Sequence, residues 1–150
     1  MDRTSSALNW WPTRITGALS PLPCPPSPAP VKTTACPRHL DEGETLIQAA
    51  IRETLEESAW QVKINHLIEF SQWTSPNSNT HFLRACFAGT AIKHFPEQKL
   101  DDGIIRSLWM SRDEVAQNAH RLRSPLVLNH IDHYIAGKKF DLDFFSYYDK

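Results

Sequence analysis

Residues Gly43–Trp60, GETLIQAAIRETLEESAW, decide the fold, because they combine a helix signal with a dense set of carboxylates. Thr45 and Gln48 form a capping box, which predicts a helix that begins directly after Thr45. Gly43 suits a tight loop that enters this helix. At about 100° per residue, apolar and small residues gather on one side of the helix. They are Ile47, Ile51, Thr54, Leu55 and Ser58, with Ala50 beside them. The segment is therefore an amphipathic helix with one side that can be buried.

The other side of the predicted helix carries three carboxylates. Glu53, Glu56 and Glu57 are spaced i, i+3 and i+4, so they share one face. Arg52 is the nearest cation in the sequence, and it cannot neutralise all three charges. A hard divalent cation, which prefers oxygen ligands, would satisfy them. A metal held by carboxylates indicates phosphate chemistry. The alternative interpretation is an acidic face that is simply solvated.

The segment from His39 to Trp60 resembles the Nudix box, the signature of Nudix hydrolases. Glu44 takes the first glutamate position of that pattern, and Arg52-Glu53 and Glu56-Glu57 follow at its spacing. A long motif with fixed gaps is rarely matched by chance.

Three positions depart from the Nudix pattern. Arg38 and Ala59 stand where the family has glycine, and Thr54 stands where it has an apolar residue. Alanine at position 59 would cost about 1 kcal/mol if the helix end requires a positive φ there. In the family, the glycine replaced by Arg38 lies in the loop that wraps the metal site.

The resemblance implies a role for each acidic residue of the motif. Glu53, Glu56 and Glu57 would hold Mg²⁺, with Mn²⁺ as the alternative ion. Arg52 would orient a glutamate through a bidentate pair, and Glu44 would support that network. The implied reaction is attack of water on a phosphorus atom of a diphosphate linkage. One glutamate would act as the base, and Glu53 is favoured slightly.

The rest of the chain mixes strand and helix signals without a repeated βαβ unit. The predicted strands are 61–74, 80–92 and 104–110, with a polar turn at 75–79. A second capping box at Ser111 and Glu114 predicts a helix to about Ala119. Ser124 and Pro125 open a last helix that ends before Gly137. We therefore predict an α+β protein, and the resemblance implies a Nudix-like α/β/α sandwich with a mixed sheet.

The downstream half is also similar to one branch of the family, the NudJ-type phosphatases. The residues that carry this similarity are His39-Leu40, Trp73 with Pro76, Phe82-Leu83-Arg84, Trp109-Met110-Ser111 and Leu122-Arg123-Ser124-Pro125-Leu126-Val127. For that branch, the resemblance implies release of inorganic phosphate from nucleoside tri- and diphosphates and from thiamine-type pyrophosphates.

Four residues outside the motif are weaker candidates for substrate binding. Arg84 and Arg123 suit phosphate contact, and the alternative for each is a surface salt bridge. Trp73 and Phe82 could stack on a base or a thiazole-like ring, and the alternative is ordinary strand packing. His130 and His133 in the last helix are interpreted as a solvated face, since no third metal ligand follows nearby.

The first part of the chain differs from the rest in composition. Eight of the eleven prolines lie in residues 1–37, and six of them lie between Pro21 and Pro30. Proline opposes both helices and central strands. We therefore divide the chain into a Pro-rich segment, 1–38, that is disordered or non-homologous, and a Nudix hydrolase domain, 39–150, that is incomplete.

The family fold needs strands before the motif, and we expect the N-terminal strands to be lacking. Residues 8–11 and 13–19 are the candidates, and both are poor. One hypothesis is a frameshift or a mis-assigned start upstream of His39. The competing view is a genuine Pro-rich linker or a partner-binding tail.

Composition places further bounds on function. The net charge is −1, with 16 basic and 17 acidic residues, so nothing favours nucleic-acid or membrane binding. No apolar run resembles a signal peptide or a membrane span. Three cysteines without CxxC spacing support neither disulfides nor zinc, which fits the cytoplasm. The expected partner is a small-molecule nucleotide or cofactor pyrophosphate, and the expected state is a monomer or a homodimer.

Three functions remain open at this point. The first is a Mg²⁺-dependent hydrolase of nucleotide or cofactor di- and triphosphates. The second is a non-catalytic or unstable Nudix-like remnant that binds a phosphorylated ligand or a partner. The third is a Nudix pyrophosphatase that cleaves a nucleoside-diphosphate-linked compound.

Overall fold

The computed structural model describes residues 40–74, 79–122, 124 and 126–148, and the backbone of 9–12 and 32–35. Its strands are β1 (Asn9–Pro12), β2 (Lys32–Ala35), β3 (Trp60–Thr74), β4 (His81–His94) and β5 (Ser107–Met110). Its α-helices are α1 (Leu46–Ser58), α2 (Arg112–Gln117) and α3 (Leu126–Ile135), with short 3₁₀ turns at Ala119–Arg121 and Leu142–Phe144. Arg38, His39, Pro76, Arg123 and Pro125 lie outside the described residues.

Helix α1 begins and ends as its sequence predicts. The Thr45 hydroxyl accepts from the Gln48 amide at 3.2 Å, and the Gln48 side chain accepts from the Thr45 amide at 2.9 Å, which completes the capping box. The helix ends at Ala59 in the left-handed conformation, with φ +61°, and the Ala59 amide donates to the Leu55 carbonyl. Ala59 therefore adopts a backbone conformation that glycine reaches more easily than any residue with a Cβ atom.

Thr54 shows how a polar residue fits on the buried side of α1. Its side chain is 3 % exposed, and its hydroxyl donates to the Ala50 carbonyl one turn earlier at 2.6 Å. Since this bond satisfies the buried hydroxyl, threonine replaces an apolar residue there without leaving an unpaired donor.

The main sheet has the order β2-β4-β3, and β1 and β5 form a separate two-stranded ladder. Every ladder between the described strands is antiparallel, so the expected mixed sheet is wrong for this part of the chain. The reason lies in the connection between β3 and β4. Six residues separate these two long strands in the sequence, and a connection this short can only return the chain antiparallel.

Helices cover both faces of the main sheet, which confirms the α+β class and the α/β/α layering. Residues of α1, β3 and β4 form the core on one face: Ala50, Val62, Ile64, Leu67, Ala85 and Phe87. On the other face Ile68, Cys86 and Ala88 pack against Tyr134 of α3. Neighbouring residues of β4 alternate between the two cores, as strand geometry requires.

Two short strands precede α1, so the expectation that N-terminal strands would be lacking is wrong. β1 pairs with β5, with Asn9 opposite Met110, and β2 pairs with β4, with Lys32 opposite Thr90. Each strand has four residues. A strand this short can lie between prolines, as β2 does between Pro30 and Pro37. The Trp residues of β1 and the Thr residues of β2 are types that are common in strands.

The interpretation of His130 and His133 as a solvated face is also wrong. His130 is 2 % exposed and lies beside Val127 and Ile131, which pack in a core between α2 and α3. The His133 ring is paired with the Glu69 carboxylate on β3. A helix that contacts both the sheet and another helix buries more of its circumference than a single apolar stripe.

The remaining elements follow their signals closely. The capping box at Ser111 starts α2, which ends at Gln117, earlier than expected. β5 is shorter than the predicted strand 104–110. Among the described residues, no helix has the length and apolar character needed to cross a membrane.

Candidate active site

Arg52 on α1 is the centre of the polar network that the sequence predicts. Its Nε donates to Oε1 of Glu44 at 2.9 Å, and its Nη2 donates to Oε2 at 2.8 Å. This is the bidentate arrangement that a guanidinium makes with a carboxylate. Nη1 donates to Glu56 at 3.0 Å. One side chain thus connects the loop before α1 with one of the three carboxylates in the second half of the helix.

Asp41 joins this network, although sequence reasoning missed it. Its amide donates to Glu44 Oε2 at 3.1 Å, and its own carboxylate lies 3.4 Å from Arg52 Nε. The Glu44 amide donates to the Asp41 carbonyl, which closes a turn around Gly43 at φ +77°. A partial signal was present, because Asp is favoured at the first position of a turn and a glycine with positive φ at the third, which Asp41 and Gly43 occupy.

The network controls ionisation of Glu44. The hydrogen bonds from Arg52 lower the pKa of Glu44 below its ordinary value, against an opposing effect of burial. The same contact with Glu44 raises the pKa of Arg52. Both groups therefore stay charged over the whole physiological range.

The three carboxylates of α1 differ in their surroundings. Glu57 is 6 % exposed, Glu53 is partly buried, and the Glu56 side chain is 36 % exposed. Ala49, two turns before Glu56 on the same face, is 0 % exposed. A solvated acidic face would leave all of these residues in water. The burial of Ala49 and Glu57 contradicts that alternative, since an ionised carboxylate is buried only at a cost that other charges must offset.

The donor chemistry of this face suits a hard cation, since Glu53, Glu56 and Glu57 supply carboxylate oxygens alone. Within the described parts of the chain, however, no group of three or more His, Cys, Asp or Glu side chains is gathered closely enough to hold a metal ion. The Glu56 carboxylate points to Arg52. The ligand types are therefore present, and side-chain rotation would be needed to converge them.

The loop after β4 and the first residue of β5 hold the end of α1, a feature that the sequence did not reveal. The Asp101 amide donates to the Glu56 carbonyl at 3.0 Å, and the Phe95 amide donates to the Ala59 carbonyl at 2.8 Å. The Ser107 hydroxyl donates to the Ser58 carbonyl at 3.2 Å. The last carbonyls of a helix lack partners within the helix. These bonds satisfy them and hold the carboxylate-bearing turn in place.

Three predicted substrate-binding residues lie together near the tip of the β3–β4 hairpin. The Trp73 and Phe82 rings are stacked, with centroids 5.6 Å apart. The Arg84 guanidinium carbon lies 5.1 Å from the Trp73 centroid and 5.8 Å from that of Phe82. These are cation–π distances. Strand alternation places this cluster on the face of Cys86 and α3, whereas α1 covers the other face. The fourth candidate, Arg123, lies outside the described residues.

Comparison with known proteins shows the family to which the chain belongs. Residues 33–130 match the model of the NUDIX domain, and this range begins inside β2. The chain is 39% identical over 105 residues to Phosphatase NudJ of Escherichia coli K12 and to that of Shigella flexneri, which covers 70% of this chain and 67% of each relative. A solved NUDIX hydrolase from Nitrosomonas europaea superimposes with a TM-score of 0.72 at 40% identity, over 73% of this chain and 74% of that one. The chain belongs to the Nudix family, and it is a hydrolase that acts on phosphoanhydride bonds.

Proposed function

We propose that this chain is a Mg²⁺-dependent hydrolase that releases inorganic phosphate from nucleoside tri- and diphosphates or from thiamine-type pyrophosphates. The bidentate pair between Arg52 and Glu44 is the observation that carries this proposal. It holds the motif helix in a defined orientation toward its preceding loop. The similarity to Phosphatase NudJ supports phosphate as the product.

Each residue of the motif has a proposed role. Glu53, Glu56 and Glu57 would hold Mg²⁺, or Mn²⁺, through carboxylate oxygens. When bound, a divalent ion neutralises the charge that develops on phosphate and lowers the pKa of the attacking water. Glu53 is proposed as the base. Arg52 positions Glu56, to which it donates a hydrogen bond, and Glu44 anchors Arg52.

The hairpin cluster, which consists of Trp73, Phe82 and Arg84, is proposed to bind the ring of the substrate. Phe82 is 39 % exposed, and stacking on an exposed aromatic face tolerates many flat rings. Arg84 and Arg123 would contact phosphate oxygens. Since the cluster lies on the face of α3, a substrate that also reaches the carboxylates of α1 must extend around the sheet.

The binding partners, the cellular location and the domain division are proposed from composition and family membership. Family members act on small nucleotide-type molecules, and the near-neutral charge supports neither nucleic-acid nor membrane binding. The cysteine pattern supports a cytoplasmic location, and Cys86 is buried in the core. Residues 39–150 would carry the catalytic domain, with 1–38 as a Pro-rich segment that adds the two short strands.

The test is an assay of the purified chain with Mg²⁺ and a panel of nucleoside tri- and diphosphates and thiamine pyrophosphate, with phosphate and pyrophosphate measured separately. We expect phosphate as the product. Pyrophosphate or a nucleoside monophosphate would assign the chain to another branch. A folded chain with no turnover would contradict the enzymatic function.

Glu57→Gln is the decisive variant of this assay, because it removes one charge from a buried position of the motif. We expect the rate to fall by a factor of about 100 or more, and the Mg²⁺ concentration for half-maximal rate to rise. Glu97→Gln, the same change at an exposed loop position, is the matched control and should leave both values unchanged. An unchanged rate in Glu57→Gln would refute its assignment as a ligand.

A further inference from the structure

The outer edge of β3 is the feature that carries an inference beyond the proposed function. β3 lies at the edge of the main sheet, and β4 pairs with its other side. Leu67 exchanges hydrogen bonds of 3.0 and 2.8 Å with Phe140 across this edge. Among the described residues, the backbone of Phe70–Thr74 forms no backbone hydrogen bond outside its ladder with β4. An uncovered edge strand is a template for pairing with another strand.

The protection of this edge is uneven. Shifts of register interrupt the β3–β4 ladder between Gln61 and Val62, between Ile64 and His66, and between Leu67 and Glu69. Such bulges blunt an edge against pairing. From Phe70 to Thr74, FSQWT, the ladder with β4 is regular, and the segment contains no charge, glycine or proline. The second part of the strand therefore lacks the devices that protect the first part.

Apolar side chains surround the unprotected part of the edge. Phe145 from the C-terminal segment packs edge-on against Phe70, with ring centroids 6.4 Å apart. Several large apolar residues of this region remain exposed by 44–68 %, namely Phe70, Leu83, Phe140, Phe144 and Tyr147. A contiguous exposed apolar surface marks an interaction site.

We propose that Phe70–Thr74 pairs antiparallel with the same segment of a second copy, about a two-fold axis at Gln72. This arrangement joins two three-stranded sheets into one continuous sheet. An antiparallel strand is its own hydrogen-bonding complement about a two-fold axis, so one segment supplies both sides of the interface.

The sequence of the segment favours a second copy over an unrelated peptide. Pairing about Gln72 places Phe70 of one copy opposite Thr74 of the other, and every residue involved is neutral. Like charges opposite each other would destabilise such a pair. The exposed apolar residues of both copies come together along the new strand pair, where they leave water.

The test is the mass of the full chain in solution, measured by light scattering and sedimentation over a dilution series. We expect a concentration-dependent species of twice the 17.1 kDa chain mass. Gln72→Lys and Gln72→Glu each place like charges beside the axis and should weaken the dimer by about tenfold or more. Mixing the two variants pairs Lys with Glu and should restore association.

The matched control is Gln98→Lys, which makes the same change in an exposed loop and should leave the dimer intact. Circular dichroism shows that each variant is folded. A wild-type chain that stays monomeric throughout the series overturns the proposal. A dimer that survives both changes at position 72 also overturns it, since association then uses another surface. Neither result bears on hydrolysis, so the proposed function is tested separately.

Discussion

Arg52 and Glu44 form a bidentate pair with N–O distances of 2.9 and 2.8 Å. The pair connects the middle of α1 with the loop that leads into it. The third hydrogen bond of Arg52 reaches Glu56. Arg52 therefore links Glu44 to Glu56, a proposed metal ligand, and a substitution at Glu44 should also affect Glu56.

The geometry of this pair predicts that Arg52→Lys impairs catalysis although the charge is kept. An ammonium group cannot reproduce two parallel bonds to one carboxylate and a third to Glu56. We expect kcat/KM to fall by about 10- to 100-fold, as for other groups that orient ligands. Steady-state kinetics at saturating Mg²⁺ would measure the loss.

Arg112→Lys is the control for that prediction. Arg112 makes the same bidentate contact with Asp132, at 2.9 and 3.1 Å, on an exposed surface of α2 and α3. It should leave kcat/KM unchanged and have little effect on stability, because exposed ion pairs contribute little. Equal losses of activity in the two variants would show that Arg52 has no special role.

The left-handed Ala59 predicts a stabilising substitution. Ala59→Gly removes the steric conflict of a Cβ at φ +61° and should raise the free energy of unfolding by about 1 kcal/mol. Urea denaturation would measure this change. Ala136→Gly, near the end of α3 and absent from the positive-φ positions among the described residues, should be neutral or slightly destabilising. A loss of stability in Ala59→Gly would mean that packing of the buried methyl group outweighs the strain.

The lowered pKa of Glu44 predicts part of the acid sensitivity of the fold. A carboxylate whose folded pKa lies below its unfolded value stabilises the fold fully above that unfolded value, 4.5. This contribution is lost as the pH falls below 4.5 through the folded pKa. Stability should therefore decrease toward acid pH, and Glu44→Gln should flatten the decrease.

Unfolding by urea between about pH 3 and pH 6 would show this effect. Glu97→Gln, at an exposed position, serves as the reference. Identical acid slopes for the Glu44→Gln variant and the wild type would rule out the linkage.

The stacked hairpin cluster predicts a loss of substrate binding without a loss of chemistry. Phe82→Leu removes the ring that stacks on Trp73 and lies near Arg84. We expect KM for ring-bearing substrates to rise by roughly tenfold with kcat unchanged, a typical worth of one stacking contact. Tyr148→Leu, at a tail position that is 91 % exposed, is the control. An unchanged KM would mean that the cluster serves folding alone.

The features that could be predicted from the sequence are local ones. The capping boxes at Thr45 and Ser111 start helices where expected, because their hydrogen bonds join residues three positions apart. The resemblance to the Nudix box marked position 59 as one where the family has glycine, and the positive φ of Ala59 agrees with this. A bidentate pair of Arg52 with a glutamate, in a network that includes Glu44, was implied by the resemblance to the Nudix box, and the structure identifies Glu44 as that glutamate.

The features that were missed depend on contacts between distant segments. β1 and β2 exist because β5 and β4 lie beside them, and strands of four residues give no clear periodic signal of their own. His130 is buried because α3 packs between the sheet and α2. The loop that holds Glu56 and Ala59 contacts the site through backbone groups, which every residue possesses, and the Asp41 amide does the same with Glu44.

By itself, the sequence determined where helix α1 begins and ends and that one of its faces carries the carboxylates. These features depend only on the spacing of residues along one element. Only the tertiary structure decided which side chains meet across elements. It placed the Glu44 loop against Arg52, the hairpin cluster on the face of α3, and the regular end of β3 at an open edge. The physical reason is that burial and hydrogen-bond satisfaction are properties of the packed chain, and no single element contains both partners.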